Sequence, residues 1–199
     1  MKSVVTRKMF APIVEGHGEV YAVPDLLRRL GQAVAMAVTV NPPIRIASGS
    51  FMNDRTYFHR YVTLAASKAA QGNGAVLILL DCDDNCPATI GPDLLARARA
   101  VRSDVPYIVA LAKKEYENWF LAAARSLRGQ HGLPADLEPP PDIEGIRDAK
   151  GWLRERMGEP YDPITHQRLF TRGFDLTEAQ SSQSFARLFR RITEFILAS

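Results

Sequence analysis

Two short acidic clusters carry the most chemistry in this sequence: Glu15-Gly16-His17-Gly18-Glu19 and Asp81-Cys82-Asp83-Asp84, each directly after an apolar run. Carboxylates gathered in one place repel one another and resist ionisation unless a cation lies among them. Their hard oxygens suit Mg²⁺, Mn²⁺ or Ca²⁺ better than zinc. A cation held this way can bind the oxygens of a phosphodiester and activate a water. Asp81 and Asp83 share one turn, and Glu15 can meet them from an adjacent strand. An isolated Asp-x-Asp is more often a turn former. Here it coincides with a strand ending in Glu-Gly and with a parallel α/β pattern.

Other side chains join this reading. Lys113 and Lys114 follow the next apolar run, where a lysine, Lys114 before Lys113, can neutralise charge developing on a phosphate under attack. Glu117 stands in the first turn of the following helix, where the helix dipole favours an acid in any case. Gly16 and Gly18 open a helix and can turn backbone N–H groups, with His17 between them, toward a phosphate. Asp84 is a weaker addition to the acidic set. Arginines recur on the helices, at Arg28, Arg29, Arg97, Arg99, Arg125, Arg128, Arg154, Arg156, Arg187, Arg190 and Arg191. An acidic centre in a basic surround suits phosphate chemistry, although the balance of 25 basic against 22 acidic residues, net +3, says little by itself.

Several function classes drop out. There is no Walker lysine pattern and no full dinucleotide fingerprint. His59, His131 and His166 lack metal-ligand spacing. Acidic neighbours make Cys82 a poor nucleophile. Two cysteines, Cys82 and Cys86, make no disulfide framework. No apolar run approaches the roughly 18 to 20 residues that span a bilayer, and the N-terminus lacks a signal-peptide pattern, so the cytoplasm is expected.

The elements that must position these residues follow from hydrophobic periodicity. Strands are expected at Lys8 to Val14, at Ala33 to Val40, broken by Asn41-Pro42-Pro43 with Ile44 to Ala47 continuing it, at Ala75 to Leu80, and at Pro106 to Ala112. Helices are expected at Glu19 to Leu30, Tyr57 to Gln71, Pro92 to Arg102 with Pro92 in its first turn, and Glu115 to Leu127. Residues 129–142 are rich in glycine and proline and read as a linker between a domain over 1–128 and a helical extension over 143–199. That extension carries helices at Ile143 to Met157, around Thr165 to Thr171, and at Ser181 to Leu197. Alternating strand and helix predicts an α/β fold, a mostly parallel sheet with helices on both faces.

With Glu15-Gly16-His17-Gly18-Glu19 after the first strand, Asp81-Cys82-Asp83 after AVLILL, and Lys114-Glu115-Tyr116-Glu117-Asn118-Trp119-Phe120-Leu121 after the next, the sequence resembles the Toprim (topoisomerase–primase) superfamily. More closely, it looks like small single-domain bacterial Toprim-like proteins, which resemble the nuclease half of OLD-type ATPase–nuclease systems. The resemblance covers nearly the whole chain and implies a Toprim-like α/β fold with a helical C-terminal extension. It implies a metal core of Glu15, Asp81 and Asp83, with Glu15 also handling a proton, and a second metal at Glu19 and Glu117. The metal would be Mg²⁺ or Mn²⁺, with Ca²⁺ a further candidate. The implied activity is a metal-dependent nuclease acting on DNA or RNA in a bacterial defence or mobile-element setting. A separately encoded ABC-type ATPase would be its partner, with no membrane involved and self-association left open. The sequence departs from those systems in length: these 199 residues hold no ATPase module and no nucleic-acid-gripping domain. The alternative is a non-catalytic regulatory subunit that binds metal and phosphate for an ATPase complex.

Overall fold

The computed structural model describes residues 7–83 and 86–198, so Asp84 lies outside the described residues. The chain is α/β. Its strands are β1 (Lys8–Val14), β2 (Val38–Val40), β3 (Ile44–Arg45), β4 (Asn73–Asp81) and β5 (Tyr107–Ala112), all parallel, in the order β2-β1-β4-β5 with β3 also paired to β1. The helices are α1 (His17–Ala33), α2 (Ser48–Asn53), α3 (Arg55–Ala69), α4 (Pro87–Val101), α5 (Asn118–Ala122), α6 (Ala149–Arg156), α7 (Pro163–Gly173) and α8 (Gln183–Leu197). No helix among the described residues is long and apolar enough to cross a membrane.

The sheet is covered on both faces, as the continuous apolar run of β4 requires. Alternation along β4 divides its side chains. Leu77 and Leu79 pack with Phe10, Leu26, Trp119 and the C-terminal helices. Val76, Ile78 and Leu80 pack with Phe51, Phe58, Val62 and Leu94 of α2, α3 and α4. The C-terminal helices therefore share one core with the sheet, through Leu153, Phe170, Phe174, Phe185 and Leu188. Within residues 129–142, Leu133 and Leu137 are buried and the Gly129 N–H donates to the Pro134 carbonyl, so this stretch is a packed arm.

Four expected elements differ from the sequence reading. The strand expected from Ala33 begins only at Val38, because α1 runs through Ala33 and closes on a turn at Ala35 with φ 57°. Asn41-Pro42-Pro43 then splits the partner of β1 into two short strands, since proline offers no ladder donor. The helix expected from Pro92 starts at Pro87, which takes the first-turn position and leaves Pro92 inside. The helix expected over Glu115 to Leu127 is the five residues of α5 followed by a 3₁₀ turn at Ala124–Leu127. Its apolar residues are buried on every side, so they do not mark a single helix face. The helix expected from Ile143 begins at Ala149, where Asp148 accepts the Gly151 N–H and caps it.

Helices α1 and α7 lie side by side because Gly18 has no Cβ. A Cβ there would stand 2.1 Å from Gln167 Oε1 and 2.3 Å from the Pro163 carbonyl oxygen. Farther along, the Arg29 guanidinium donates to the Thr171 and Phe174 carbonyls at 2.6 Å each. Gly18→Ala would stabilise an isolated helix by about 1 kcal/mol. In this fold it should instead destabilise, by about 1–3 kcal/mol, by forcing the two helices apart. Thermal unfolding measures the sign directly.

Candidate functional site

The chain order of the strands reverses direction between β1 and β4, and in doubly wound sheets ligands bind outside the carboxyl ends of the strands at that point. Glu15 leaves β1 there, Asp81 closes β4 beside it, and Glu117 follows β5, the next strand over. Each of three adjacent parallel strands thus delivers a carboxylate to one end of the sheet.

Glu15 is half-buried, and its Oε1 accepts the Ser48 hydroxyl at 2.5 Å. Glu19 is buried in the first turn of α1, where its Oε2 accepts the N–H groups of Glu15 (3.1 Å) and Gly16 (3.2 Å) in a capping-box arrangement. Burial raises the Glu19 pKa to about 7 despite those two backbone bonds, and the charges of Glu117 and Glu15 push the same way. Asp81 Oδ1 accepts the Tyr116 N–H at 2.8 Å. Burial lifts its pKa well above the carboxylate range, assisted by Glu19 and Glu117 and opposed by Lys150.

Glu117 is fully buried. Its Oε1 accepts the Tyr161 hydroxyl at 2.9 Å and the Gln167 amide at 2.8 Å. Its Oε2 lies 3.1 Å from the Lys150 ammonium as an ion pair but outside hydrogen-bond geometry. Lys150 reaches Glu115 Oε1 at 2.7 Å, while Glu115 Oε2 accepts the N–H groups of Ala149 (2.9 Å) and Lys150 (3.2 Å). Burial works against the Lys150 charge, yet Glu117, Glu115 and Asp81 hold its pKa above the ordinary lysine value. Among the described residues no three His, Cys, Asp or Glu side chains already form a metal cage; an ammonium stands among the acids.

A cavity of about 420 Å³ opens onto this cluster between α1 and α7, lined by Glu15, Glu19, Asp81, Lys150 and Gln167 among others. The structure therefore brings Glu15, Glu19, Asp81 and Glu117 together. His17 is exposed and, with Gly16 and Gly18, lines the same cavity. The Gly16 N–H is engaged by Glu19, and Gly18 is pressed against α7, so these two glycines chiefly serve local packing. Asp83 is exposed in a left-handed turn (φ 45°), its N–H bonded to the Lys114 carbonyl, and it lines a second cavity of about 290 Å³ with Ser48 and Asn53. Asp81 borders both cavities. Lys113 and Lys114 are half-buried and line neither.

Sequence reasoning gave no role to Lys150, Tyr161 or Gln167. They come from the C-terminal part, where no spacing ties them to the acidic motifs. Asp148-Ala149-Lys150 reads as an ordinary helix start. The one signal of these three residues in the sequence is that they fall within the extension over 143–199, which is patterned as helices.

The fold and the cluster define an α/β protein with a carboxylate-rich site at the switch point of a parallel sheet. A family model described as "Domain of unknown function (DUF4276)" matches residues 14–193 of the 199, and the chain belongs to that family. The match begins at the end of β1 and so includes every acid of the cluster. No curated protein and no solved structure matches the chain.

The Glu19 carboxyl sets a pH dependence. Its pKa is about 7 in the folded protein against the ordinary glutamate value of 4.5, so the folded state binds the extra proton between those values. Stability therefore falls as pH rises from about 4.5 to 7 and stays lowered above that. Glu19→Gln keeps an acceptor for the two backbone N–H groups and removes the titration. In metal-free buffer it should raise stability at pH 8 by on the order of 2–3 kcal/mol and leave it unchanged at pH 4. Denaturant unfolding at the two pH values measures the difference.

Proposed function

We propose that this protein is a divalent-metal-dependent nuclease that hydrolyses phosphodiester bonds of DNA or RNA at the carboxylate cluster. The observation that carries the proposal is the convergence of Glu15, Asp81 and Glu117 from three adjacent parallel strands, with Glu19 behind them. The motif resemblance to Toprim nucleases supports it. That resemblance extends the proposal to a cytoplasmic bacterial defence or mobile-element role beside a separately encoded ABC-type ATPase.

The donor set fits a hard cation. All the acids offer oxygen; the buried Gln167 Oε1 in the cluster has no hydrogen-bond partner, and Glu117 Oε2 meets only the Lys150 ammonium as an ion pair. Glu15 and Asp81, with Asp83 on the adjoining turn, would hold Mg²⁺ or Mn²⁺, and Glu19 and Glu117 a second ion; Ca²⁺ suits the same oxygens. A bound ion would supply a Lewis acid for a phosphodiester oxygen and would lower the pKa of a water. The protein's part is to orient and to move protons. Ser48 fixes Glu15 Oε1, so the carboxylate is aimed when it takes a proton from the attacking water. Tyr161 and Gln167 hold Glu117 Oε1, and Lys150 offsets part of the charge of the acids.

One observation favours the non-catalytic reading. Lys150 already neutralises part of the cluster through Glu115 and Glu117, as a purely architectural ion pair would. A cleavage panel of plasmid, single-stranded DNA and tRNA with Mg²⁺, Mn²⁺ or Ca²⁺ separates the two. The nuclease should cut at least one substrate, and Asp81→Ala should lower the rate by about 100-fold or more without loss of fold. No cutting, with Mn²⁺ still bound in calorimetry, would point to a regulatory subunit. No cutting and no binding would remove the metal site itself.

A further inference from the structure

The mouth of the acidic cavity continues into an exposed ridge formed by α1 and α7. The two helices run parallel. Gly18 meets Pro163 and Gln167 at the cavity, and Arg29 meets Thr171 and Phe174 at the other end. On α1, His17, Tyr21, Asp25 and Arg28 recur at helical spacing. On α7, Ile164, Arg168 and Arg172 do the same. Tyr21 and Ile164 are each 50% exposed, unusual for large apolar side chains, and both lie within about a turn of the cavity.

Farther along the ridge, Asp25 anchors three arginines. Arg168 Nε lies 3.0 Å and Arg172 Nε 2.7 Å from its Oδ2, and Arg28 Nη1 lies 3.1 Å from its Oδ1. Three guanidinium groups against one carboxylate leave an excess of two positive charges, and these arginine side chains are 44%, 52% and 50% exposed. The nearby acids stay charged but turn their oxygens to backbone donors: Asp162 caps α7, and Asp175 accepts the Thr177 and Glu178 N–H groups with the Arg29 charge near it. From Pro163 to Arg172 the helix rises about 14 Å, the length of about four stacked nucleotides.

We infer that this ridge is a binding track for single-stranded nucleic acid, with backbone phosphates at Arg28, Arg168 and Arg172 and an unpaired base against Tyr21 and Ile164. The inference rests on the nuclease reading for its direction, because the track leads a phosphodiester into the acidic cavity. Exposed aromatic and apolar surface beside fixed arginines is what unpaired strands bind, whereas a duplex hides its base faces. Asp25 holds the guanidinium groups in place and leaves their outer N–H groups for phosphate.

The test is anisotropy of labelled 12-nucleotide single-stranded DNA, single-stranded RNA and a duplex of the same length, in EDTA, at several salt concentrations. Arg168→Gln with Arg172→Gln should weaken single-strand binding about tenfold or more and flatten the salt slope by about 1.4, the share of two phosphate contacts. Tyr21→Ala should weaken it about tenfold with the salt slope unchanged. Asp25→Asn removes a negative charge but keeps a side-chain oxygen that accepts from the guanidinium groups, so it should bind as tightly as the wild type or tighter. Unchanged binding in the arginine and tyrosine variants would overturn the track. So would a loss in Asp25→Asn equal to that of the arginine pair, which would mean that the cluster acts only through structure, and so would equal affinity for duplex. Hydrolysis of bis(p-nitrophenyl) phosphate, too small to need the track, reads the acidic site separately. Track-dependent strand binding without any hydrolysis would keep the track and reject the nuclease, and hydrolysis with track-independent binding would do the reverse.

Discussion

Carboxylates delivered to the ends of three neighbouring strands and then roofed by helices repel one another in a medium that screens poorly, and the rest of this fold answers that constraint. Burial first, and the neighbouring charges after it, make Glu19 and Asp81 hold their protons more tightly, while Glu117 accepts from Tyr161 and Gln167. Lys150 supplies the compensating charge from α6, fixed in turn by Glu115. Removing one member of such a buried set leaves an uncompensated charge, which costs far more than the set gains as a whole.

The constraint explains why the C-terminal helices are integral to the site. Lys150, Tyr161 and Gln167 must be brought to the sheet from residues far along the chain, and aromatic packing does that. Trp119 and Phe120 of α5 meet Phe185, Phe170 and Phe174 edge-on, and Trp119 Nε1 donates to Ser184. Helix α5 therefore anchors α7 and α8 while the residue before it, Glu117, faces the cluster. One buried segment connects the core to the chemistry. The close approach of α1 and α7 at Gly18 then places the cavity mouth and the arginine-bearing ridge on one surface.

Much of the fold was legible because burial on both faces leaves a plain signature. The run AVLILL is β4, and the sheet is parallel as the alternation of elements implied. Legibility failed where local pattern and tertiary demand part. The strand expected at Ala33 to Val40 mixes a helix end with a three-residue strand, both apolar. Helix α2, only six residues around Phe51, is too short to show a period. The α5 segment is apolar all round, so periodicity gave a longer helix than the 3₁₀ break allows.

The same division holds at the site. The sequence by itself determined that Glu15 and Asp81 leave parallel strands at one end of a sheet, because strand-end residues are read locally and a helix between successive strands makes them run the same way. That Glu19 and Glu117 share one compartment with them, and that Asp83 faces a second cavity across Asp81, depended on helix placement and on one left-handed turn. Only the tertiary structure decided that Lys150 is the charge that lets the acids coexist. Its partners Glu115 and Glu117 lie more than thirty residues earlier in the chain, and no spacing rule reaches across that distance; packing does.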